Sequence, residues 1–140
     1  MTEGRAPAVV VDTSAVVAVL LSESGNDEVI DCLESASRRL MSAATRVELG
    51  IVIEARLGSG GRDALGRLLR DTPVDIVDVG AGAAEWALDA WRRYGRGRHR
   101  AGLNYADCFV YALAERTGLP VLCTGDDFAA TDLDVIRPTS

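Results

Sequence analysis

The sequence contains no lysine and only one histidine, and these two absences exclude several kinds of chemistry. Receiver domains and haloacid-dehalogenase-like phosphatases both rely on a lysine beside an acidic pocket, so the chain does not fit either class. The segment Asp12-Thr13-Ser14 also lacks the second aspartate of the phosphatase pattern. His99 alone cannot supply a pair of histidines for general acid–base catalysis. Any catalysis must therefore depend on other side chains.

Cysteine is sparse and long apolar runs are missing. Cys32, Cys108 and Cys123 are widely separated and show no spacing typical of a zinc site or a disulfide framework, so we expect buried free thiols. No segment approaches the roughly 20 apolar residues that a membrane span needs. The first seven residues include Glu3 and Arg5 and do not resemble a signal peptide. These features predict a cytoplasmic protein without membrane association.

The formal net charge of -6 argues against a protein that binds nucleic acid through its overall charge. Any such contact must be local, and one basic stretch is dense enough to provide it. The stretch runs from residue 92 to 100 and contains Arg92, Arg93, Arg96, Arg98, His99 and Arg100. Guanidinium groups suit phosphate binding, which we favour slightly for this segment. The alternative is a solvated loop paired with nearby acids.

Short apolar segments alternate with amphipathic ones along the whole chain, as in an α/β protein. The length fits a single domain covering residues 1–140. We predict strands at residues 8–11, 39–42, 74–79, 121–123 and 135–136. We predict helices at residues 14–21, 45–57, 62–70, 83–94 and 104–117. A further helix is predicted to start within residues 24–27 and to end near residue 36. The expected fold is a three-layer α/β/α sandwich with a mainly parallel central sheet.

Each acidic residue of interest has an ordinary structural explanation. Asp12 lies between a strand and a helix, where it can cap the helix. The segments 45–48 and 104–107 fit the capping-box pattern, which would use Glu48 and Asp107. Asp126 and its neighbour Asp127 follow a strand, where aspartate favours turns. Taken singly, each of these acids is better explained by a structural role than by a catalytic one.

Their positions on the predicted fold change this interpretation. Asp12 and Asp126 directly follow strands, and the helices that carry Glu48 and Asp107 begin at the same edge of a parallel sheet. Two unit charges 4 Å apart repel by ~4 kcal/mol at an effective dielectric constant of 20, so clustered carboxylates need neutralisation. Mg²⁺, for which Mn²⁺ can substitute, prefers oxygen ligands and keeps positions open for a phosphate oxygen and a water. The cluster therefore predicts phosphodiester hydrolysis.

At these residues the chain resembles the PIN-domain family, specifically the VapC-type toxins of toxin–antitoxin pairs. The resemblance covers nearly the whole chain. The segments that carry it are Val10-Val11-Asp12-Thr13-Ser14-Ala15, Ser42-Ala43-Ala44-Thr45-Arg46-Val47-Glu48-Leu49, Gly97-Arg98-His99-Arg100-Ala101-Gly102-Leu103-Asn104-Tyr105-Ala106-Asp107-Cys108 and Thr124-Gly125-Asp126-Asp127-Phe128. Together these segments are specific, although none of them is so alone.

The resemblance implies that Asp12, Glu48 and Asp107 bind the metal, with a fourth acid from the turn at 124–127. We assign that position to Asp126. Asp127 and Asp132 remain alternatives, and the Ser14 hydroxyl is expected to support the metal site.

The resemblance further implies an endoribonuclease that cuts transfer, ribosomal or messenger RNA and so blocks translation. It implies inhibition by a VapB-type antitoxin and assembly as a homodimer. Arg96, Arg98, His99 and Arg100 are the expected RNA-binding residues. The competing hypothesis is a catalytically silent PIN-like module that binds RNA or protein.

Overall fold

The computed structural model describes residues 7–138. The expectation about a signal peptide rests mainly on residues 1–6, which lie outside the described residues. Among the described residues, no helix combines the length and the apolar character that crossing a membrane requires. The elements in chain order are β1 (Val9–Val11), α1 (Thr13–Leu20), α2 (Asn26–Ser35), β2 (Arg39–Ser42), α3 (Ala43–Asp71), β3 (Asp75–Val77), α4 (Ala81–Tyr94), α5 (Tyr105–Thr117), β4 (Val121–Leu122) and β5 (Val135–Ile136).

The strands form one five-stranded sheet in the order β3-β2-β1-β4-β5, and all four neighbouring pairs are parallel. β1 lies at the centre, and its three valines are buried, as expected for a strand covered on both faces. β5 closes one edge, as the sequence predicted for residues 135–136. The expected α/β/α sandwich is confirmed, with a sheet that is parallel throughout the described residues.

Alternation along β1 divides the core into two layers. Val9 and Val11 pack on one face, together with buried residues of α1, α2 and α3. Val10 packs on the other face, together with buried residues of α4 and α5. Because successive side chains of a strand point to opposite faces, a three-residue strand is sufficient to join both layers.

The helix α3 contains a sharp break that the sequence predicted as a helix boundary. Gly58 has φ 66° and ψ -153° inside an otherwise helical segment, a conformation that only glycine adopts readily. The helix then resumes at once instead of leaving a loop at residues 58–61. A Cβ on Gly61 would lie 2.4 Å from Leu57 Cβ, so the second half can pack on the first only because Gly61 has no side chain.

Three other local predictions differ from the structure. The strand predicted at 74–79 covers only Asp75–Val77, because only these residues pair with β2. The segment 24–27 predicts a capped start for α2, but the N-cap is Gly25, with φ 85° and no side-chain capping bond. The helical spacing of the apolar residues in α4 predicts a core-facing stripe. Ala87 and Ala90 are buried as this predicts, whereas Trp86 and Trp91 are 38% and 40% exposed. Each of these indole rings also lies against an arginine side chain.

Candidate active site

The ends of β1 and β4, the second and third turns of α3 and the first turn of α5 surround one cleft of about 320 Å³. Parallel strands place their carboxyl ends at the same edge of the sheet, which explains why residues far apart in sequence meet here. Five acidic residues line the cleft together with small polar groups. The acids are Asp12, Glu23, Glu48, Asp107 and Asp127, and the polar groups belong to Thr13, Ser14, Asn104 and Thr124.

Asp12 follows β1 directly and is only 8% exposed. Its Oδ2 accepts hydrogen bonds from the Ser14 backbone N–H at 3.1 Å and from Ser14 Oγ at 2.6 Å. Ser14 Oγ in turn accepts from the Thr124 N–H at 3.0 Å, which ties β1 to the turn after β4. Burial raises the pKa of Asp12, the bonds from Ser14 oppose the rise, and the charges of Glu48 and Asp127 add to it. Asp12 therefore caps α1 and also takes part in the acidic cleft.

Asp107 lies in the first turn of α5 and is 7% exposed. The predicted capping box is present: Asp107 N–H donates to Asn104 Oδ1 at 2.8 Å, and Asn104 N–H donates to Asp107 Oδ2 at 3.1 Å. Burial raises the pKa of Asp107 to about 7, the bond from Asn104 lowers it, and the charges of Asp127, Asp12 and Glu48 raise it further. The capping hydrogen bonds are present, but they do not offset the burial and the repulsion that raise the pKa of Asp107.

The predicted capping box at residues 45–48 is wrong. The helix α3 begins earlier, at Ala43, and its N-cap is Ser42, whose Oγ accepts from the Ala44 N–H at 3.2 Å. Glu48 is thereby released from any capping role. Instead, its Oε1 accepts a hydrogen bond from Thr13 Oγ1 at 2.6 Å across the cleft.

The structure brings Asp127, and not Asp126, to the cleft. The side chain of Asp126 is 87% exposed and forms an ion pair with Arg137, and Asp126 does not line the cleft. Asp132 belongs to a different network, where it accepts from Tyr111 Oη at 2.6 Å and from Arg93 Nη2 at 3.2 Å. Adjacent residues in this turn point to different sides, so the preference for Asp126 is not supported by the geometry.

The donors in the cleft fit a hard divalent cation by chemistry, since all of them are oxygens and two are buried carboxylates. In the arrangement described for residues 7–138, no three Asp, Glu, His or Cys side chains converge closely enough to hold a metal ion as they stand. Asp12, Glu48 and Asp107 each turn to a separate hydrogen-bond donor. Each of these bonds uses one carboxylate oxygen and leaves the other for a cation.

The basic stretch begins in the last turn of α4 and continues into a closed loop between α4 and α5. Arg96 N–H donates to Leu103 O, and Leu103 N–H donates to Tyr94 O, both at 3.0 Å. The Arg98 guanidinium lies over the Trp91 ring, 4.7 Å from its centroid.

The charged groups in and beside this loop differ in their hydrogen bonds and ion pairs. His99 Nδ1 accepts from the Ala101 N–H at 3.0 Å, which leaves Nε2 as its remaining contact atom. Arg93 precedes the loop, in the last turn of α4, and is paired with Glu115 at 2.7 Å. Arg96 and Arg100 are exposed and have no ion pair among residues 7–138. The loop therefore presents cations beside the start of α5.

Comparison with known proteins identifies the family. The PIN domain model matches residues 9–133 of the chain. The chain belongs to the PIN-domain family. This PIN domain is 46% identical over 127 residues to ribonuclease VapC30 of Mycobacterium tuberculosis, covering 91% of this chain and 97% of that one. It is 44% identical over 128 residues to ribonuclease VapC of Mycolicibacterium smegmatis, with 91% and 99% covered. The resemblance to VapC-type proteins is confirmed.

Solved structures agree with the fold of this PIN domain. VapC20 of Mycobacterium tuberculosis, described as a sarcin-ricin loop cleaving toxin, superposes with a TM-score of 0.76 at 20% identity, covering 93% of this chain and 99% of that one. VapBC-5 of the same organism, a member of a family of toxin–antitoxin systems, gives a TM-score of 0.65 at 25% identity, with 93% and 98% covered.

Thr13 and Glu23 are among the cleft residues of this PIN domain that sequence reasoning missed. Thr13 lies inside a motif already singled out, but its contact is with Glu48, 35 residues away. Glu23 follows Ser22, a non-glycine residue with φ 51°, and this left-handed turn ends α1 and brings Glu23 to the rim. Neither feature carries a local sequence signal, because both depend on how α1 is placed against the rest of the domain.

Proposed function

We propose that this PIN domain is a Mg²⁺-dependent endoribonuclease, the toxin of a toxin–antitoxin pair, and that it inhibits translation by cleaving RNA. The observation that carries the proposal is the convergence of Asp12, Glu48, Asp107 and Asp127 on one cleft. The relatives named as VapC ribonucleases support the same activity. Asp127 replaces Asp126 as the fourth acid, because only Asp127 lines the cleft and acts on the pKa of its neighbours.

In this proposal the carboxylates bind the cation and the surrounding hydrogen bonds orient them. A bound Mg²⁺ would polarise the scissile phosphodiester and activate the attacking water. Ser14 holds one oxygen of Asp12, and the N–H of Asn104 holds one oxygen of Asp107, so each acid keeps its other oxygen for the site. The raised pKa values of Asp12 and Asp107 reflect burial first and then repulsion between the carboxylates, and a bound cation would favour the charged form of both.

RNA binding is assigned to the loop between α4 and α5. Arg96 and Arg100 are the exposed cations for backbone phosphates. Arg98 and His99 are each engaged within the loop, and they contribute by fixing its shape and with their remaining donors. Phosphate contacts position a nucleic acid without reading its sequence, so this loop alone does not select a particular RNA.

An antitoxin is the expected inhibitor. Several structural neighbours of this fold are toxin–antitoxin complexes, including VapBC2 of Rickettsia felis bound to a promoter DNA fragment. An acidic cleft of this kind is suited to receive a basic side chain from a bound partner. Co-purification of the protein with the product of a small neighbouring gene would support the proposal, and full RNA cleavage in the presence of that product would contradict it.

The proposed homodimer would use an apolar surface beside the cleft. Val47, Ile51 and Tyr105 are 62%, 64% and 80% exposed, and they line one groove with Phe109. Exposed apolar groups gathered in one patch favour an interface. We expect Ile51→Glu to convert a dimer to a monomer in light scattering, whereas Ile76→Glu on the edge strand should not. A wild-type monomer at high concentration would contradict this assignment.

The activity is tested with purified protein freed of any partner and a mixed RNA substrate. We expect cleavage with Mg²⁺ or Mn²⁺, none with EDTA, and none by Asp12→Asn or Asp107→Asn. Asp107→Asn is the sharper variant, because an amide oxygen can still accept the Asn104 N–H and keep the cap. Identically prepared variants also control for contaminating ribonuclease. If both variants cleave like the wild type, the carboxylates do not catalyse, and a silent binding module becomes the better hypothesis.

A further inference from the structure

The side chain of Thr13 joins the two walls of the acidic cleft. Thr13 is the first residue of α1, it is 8% exposed, and its Oγ1 donates to Glu48 Oε1 on α3 at 2.6 Å. The two residues are 35 positions apart in sequence. A hydroxyl bonded to a carboxylate at this distance is a short, charge-assisted hydrogen bond.

Glu48 depends on this contact more than the other acids depend on theirs. Its side chain is longer than that of Asp12 or Asp107, so fixing it costs more rotamer entropy. Among residues 7–138, the structure gives Glu48 no other hydrogen bond. Asp12 is oriented by Ser14, and Asp107 by the Asn104 N–H. The Thr13 hydroxyl donates to Glu48 just as the Ser14 hydroxyl donates to Asp12.

The hydroxyl has few other uses in this position. A threonine inside a helix often donates its hydroxyl to the backbone carbonyl four residues earlier. Thr13 has no such partner, because the residues before it belong to β1 and not to a helix. Thr13 is also β-branched, so its side chain has few rotamers and holds the hydroxyl in one direction. A purely packing role would require only the shape of the side chain, which valine shares. The two roles are therefore separable by substitution.

We propose that Thr13 is a positioning residue for Glu48: its hydroxyl holds Glu48 Oε1 so that the other carboxylate oxygen faces the metal site. This inference rests on the proposed function, because it assigns Thr13 a role in metal binding by the same cleft. Partners that orient metal-binding carboxylates typically contribute about 10-fold to 100-fold in affinity.

The test measures Mn²⁺ binding directly, by electron paramagnetic resonance of the free ion, together with RNA cleavage. Thr13→Val should weaken Mn²⁺ binding about 10-fold or more, while Thr13→Ser, which keeps the donor, should remain within about threefold of the wild type. The KM for RNA should be unchanged, because the basic loop is not altered, whereas kcat should fall. Thr13→Ala provides a second variant without the donor in case valine disturbs the start of α1.

A matched control and a double variant complete the design. Thr45 is 1% exposed and its hydroxyl has no hydrogen-bond partner among residues 7–138, so Thr45→Val makes the same chemical change without breaking a bond. It should leave Mn²⁺ binding unchanged. In a Glu48→Gln background, Thr13→Val should add less than about a threefold loss, since Thr13 acts through Glu48.

The outcomes separate this inference from the proposed function. If the wild type binds Mn²⁺ but Thr13→Val and Thr13→Ala bind it equally well, the positioning role is wrong while the metal site stands. A full additional loss in the Glu48→Gln background would also overturn it, because Thr13 would then act independently of Glu48. If the wild type neither binds Mn²⁺ nor cleaves RNA, the proposed metal site fails, and this inference fails with it.

Discussion

Replacing Asp107 with asparagine should make the metal-free protein more stable at neutral and alkaline pH. Asp107 is 7% exposed, and burial raises its pKa from 3.8 to about 7, with nearby carboxylates adding to the rise. Ionising the Asp107 carboxyl in the folded protein therefore costs free energy. Asparagine removes the charge and keeps an acceptor for the Asn104 N–H, so the capping hydrogen bond is retained.

The sign and size of the effect follow from linkage between protonation and folding. Below pH 3.8 the carboxyl is protonated in both states and costs nothing. As pH rises from there to about 7, the unfolded state releases its proton and the folded state keeps it, so wild-type stability falls across this window. Each pKa unit corresponds to about 1.4 kcal/mol, which sets a ceiling of about 4 kcal/mol above pH 7. Since the repulsion is shared among several acids, we expect Asp107→Asn to raise the free energy of unfolding by about 1 to 3 kcal/mol.

Urea unfolding in EDTA, at about pH 5.5 and about pH 8, measures this effect. The advantage of Asp107→Asn should increase by up to about 2 kcal/mol between these two values. Added Mg²⁺ should stabilise the wild type more than the variant and so reduce the difference. Asp89→Asn, at an exposed position on α4, is the control and should show neither effect. Equal stability of wild type and Asp107→Asn at pH 8, or an identical difference at both pH values, would refute the reasoning.

Three further predictions use other positions. Asp127→Asn should reduce cleavage by about 10-fold to 100-fold and weaken Mn²⁺ binding, while Asp126→Asn should stay within about threefold of the wild type. The reverse order would restore Asp126 as the fourth acid. Arg100→Ala should weaken RNA binding and reduce the slope of log affinity against log salt by about 0.7, whereas Arg67→Ala on the far half of α3 should not; equal slopes would remove Arg100 from the interface. Thr45→Val should raise the free energy of unfolding by about 1 kcal/mol, measured in urea, and a loss of stability would show that the hydroxyl has a partner.

Much of the fold follows from local patterns. A run of valines before Asp12 indicates a buried strand, and the helical repeat of apolar residues in α3 and α5 indicates helices, because a side chain's face depends only on its neighbours along the chain. Gly58 was correctly identified as the point where a helix breaks. The length of the edge strand was not predictable in the same way, since residues 74–79 alternate regularly but only 75–77 find partners on β2.

The site was predictable only as far as the topology could be inferred. A parallel sheet gathers strand ends at one edge, which was sufficient to bring Asp12, Glu48 and Asp107 together in advance. Capping patterns were less dependable. The pattern at 104–107 forms a capping box, whereas the pattern at 45–48 does not, because Ser42 starts the helix α3 three residues earlier.

The sequence by itself determined the order of strands and helices, the absence of lysine and histidine chemistry, and the three acids that follow from strand ends and helix starts. Only the tertiary structure decided between Asp126 and Asp127, and only it revealed the bond from Thr13 to Glu48. The reason is physical. Backbone hydrogen bonds and apolar repeats are local, whereas the direction of a turn side chain and a contact across 35 residues depend on how separate elements pack.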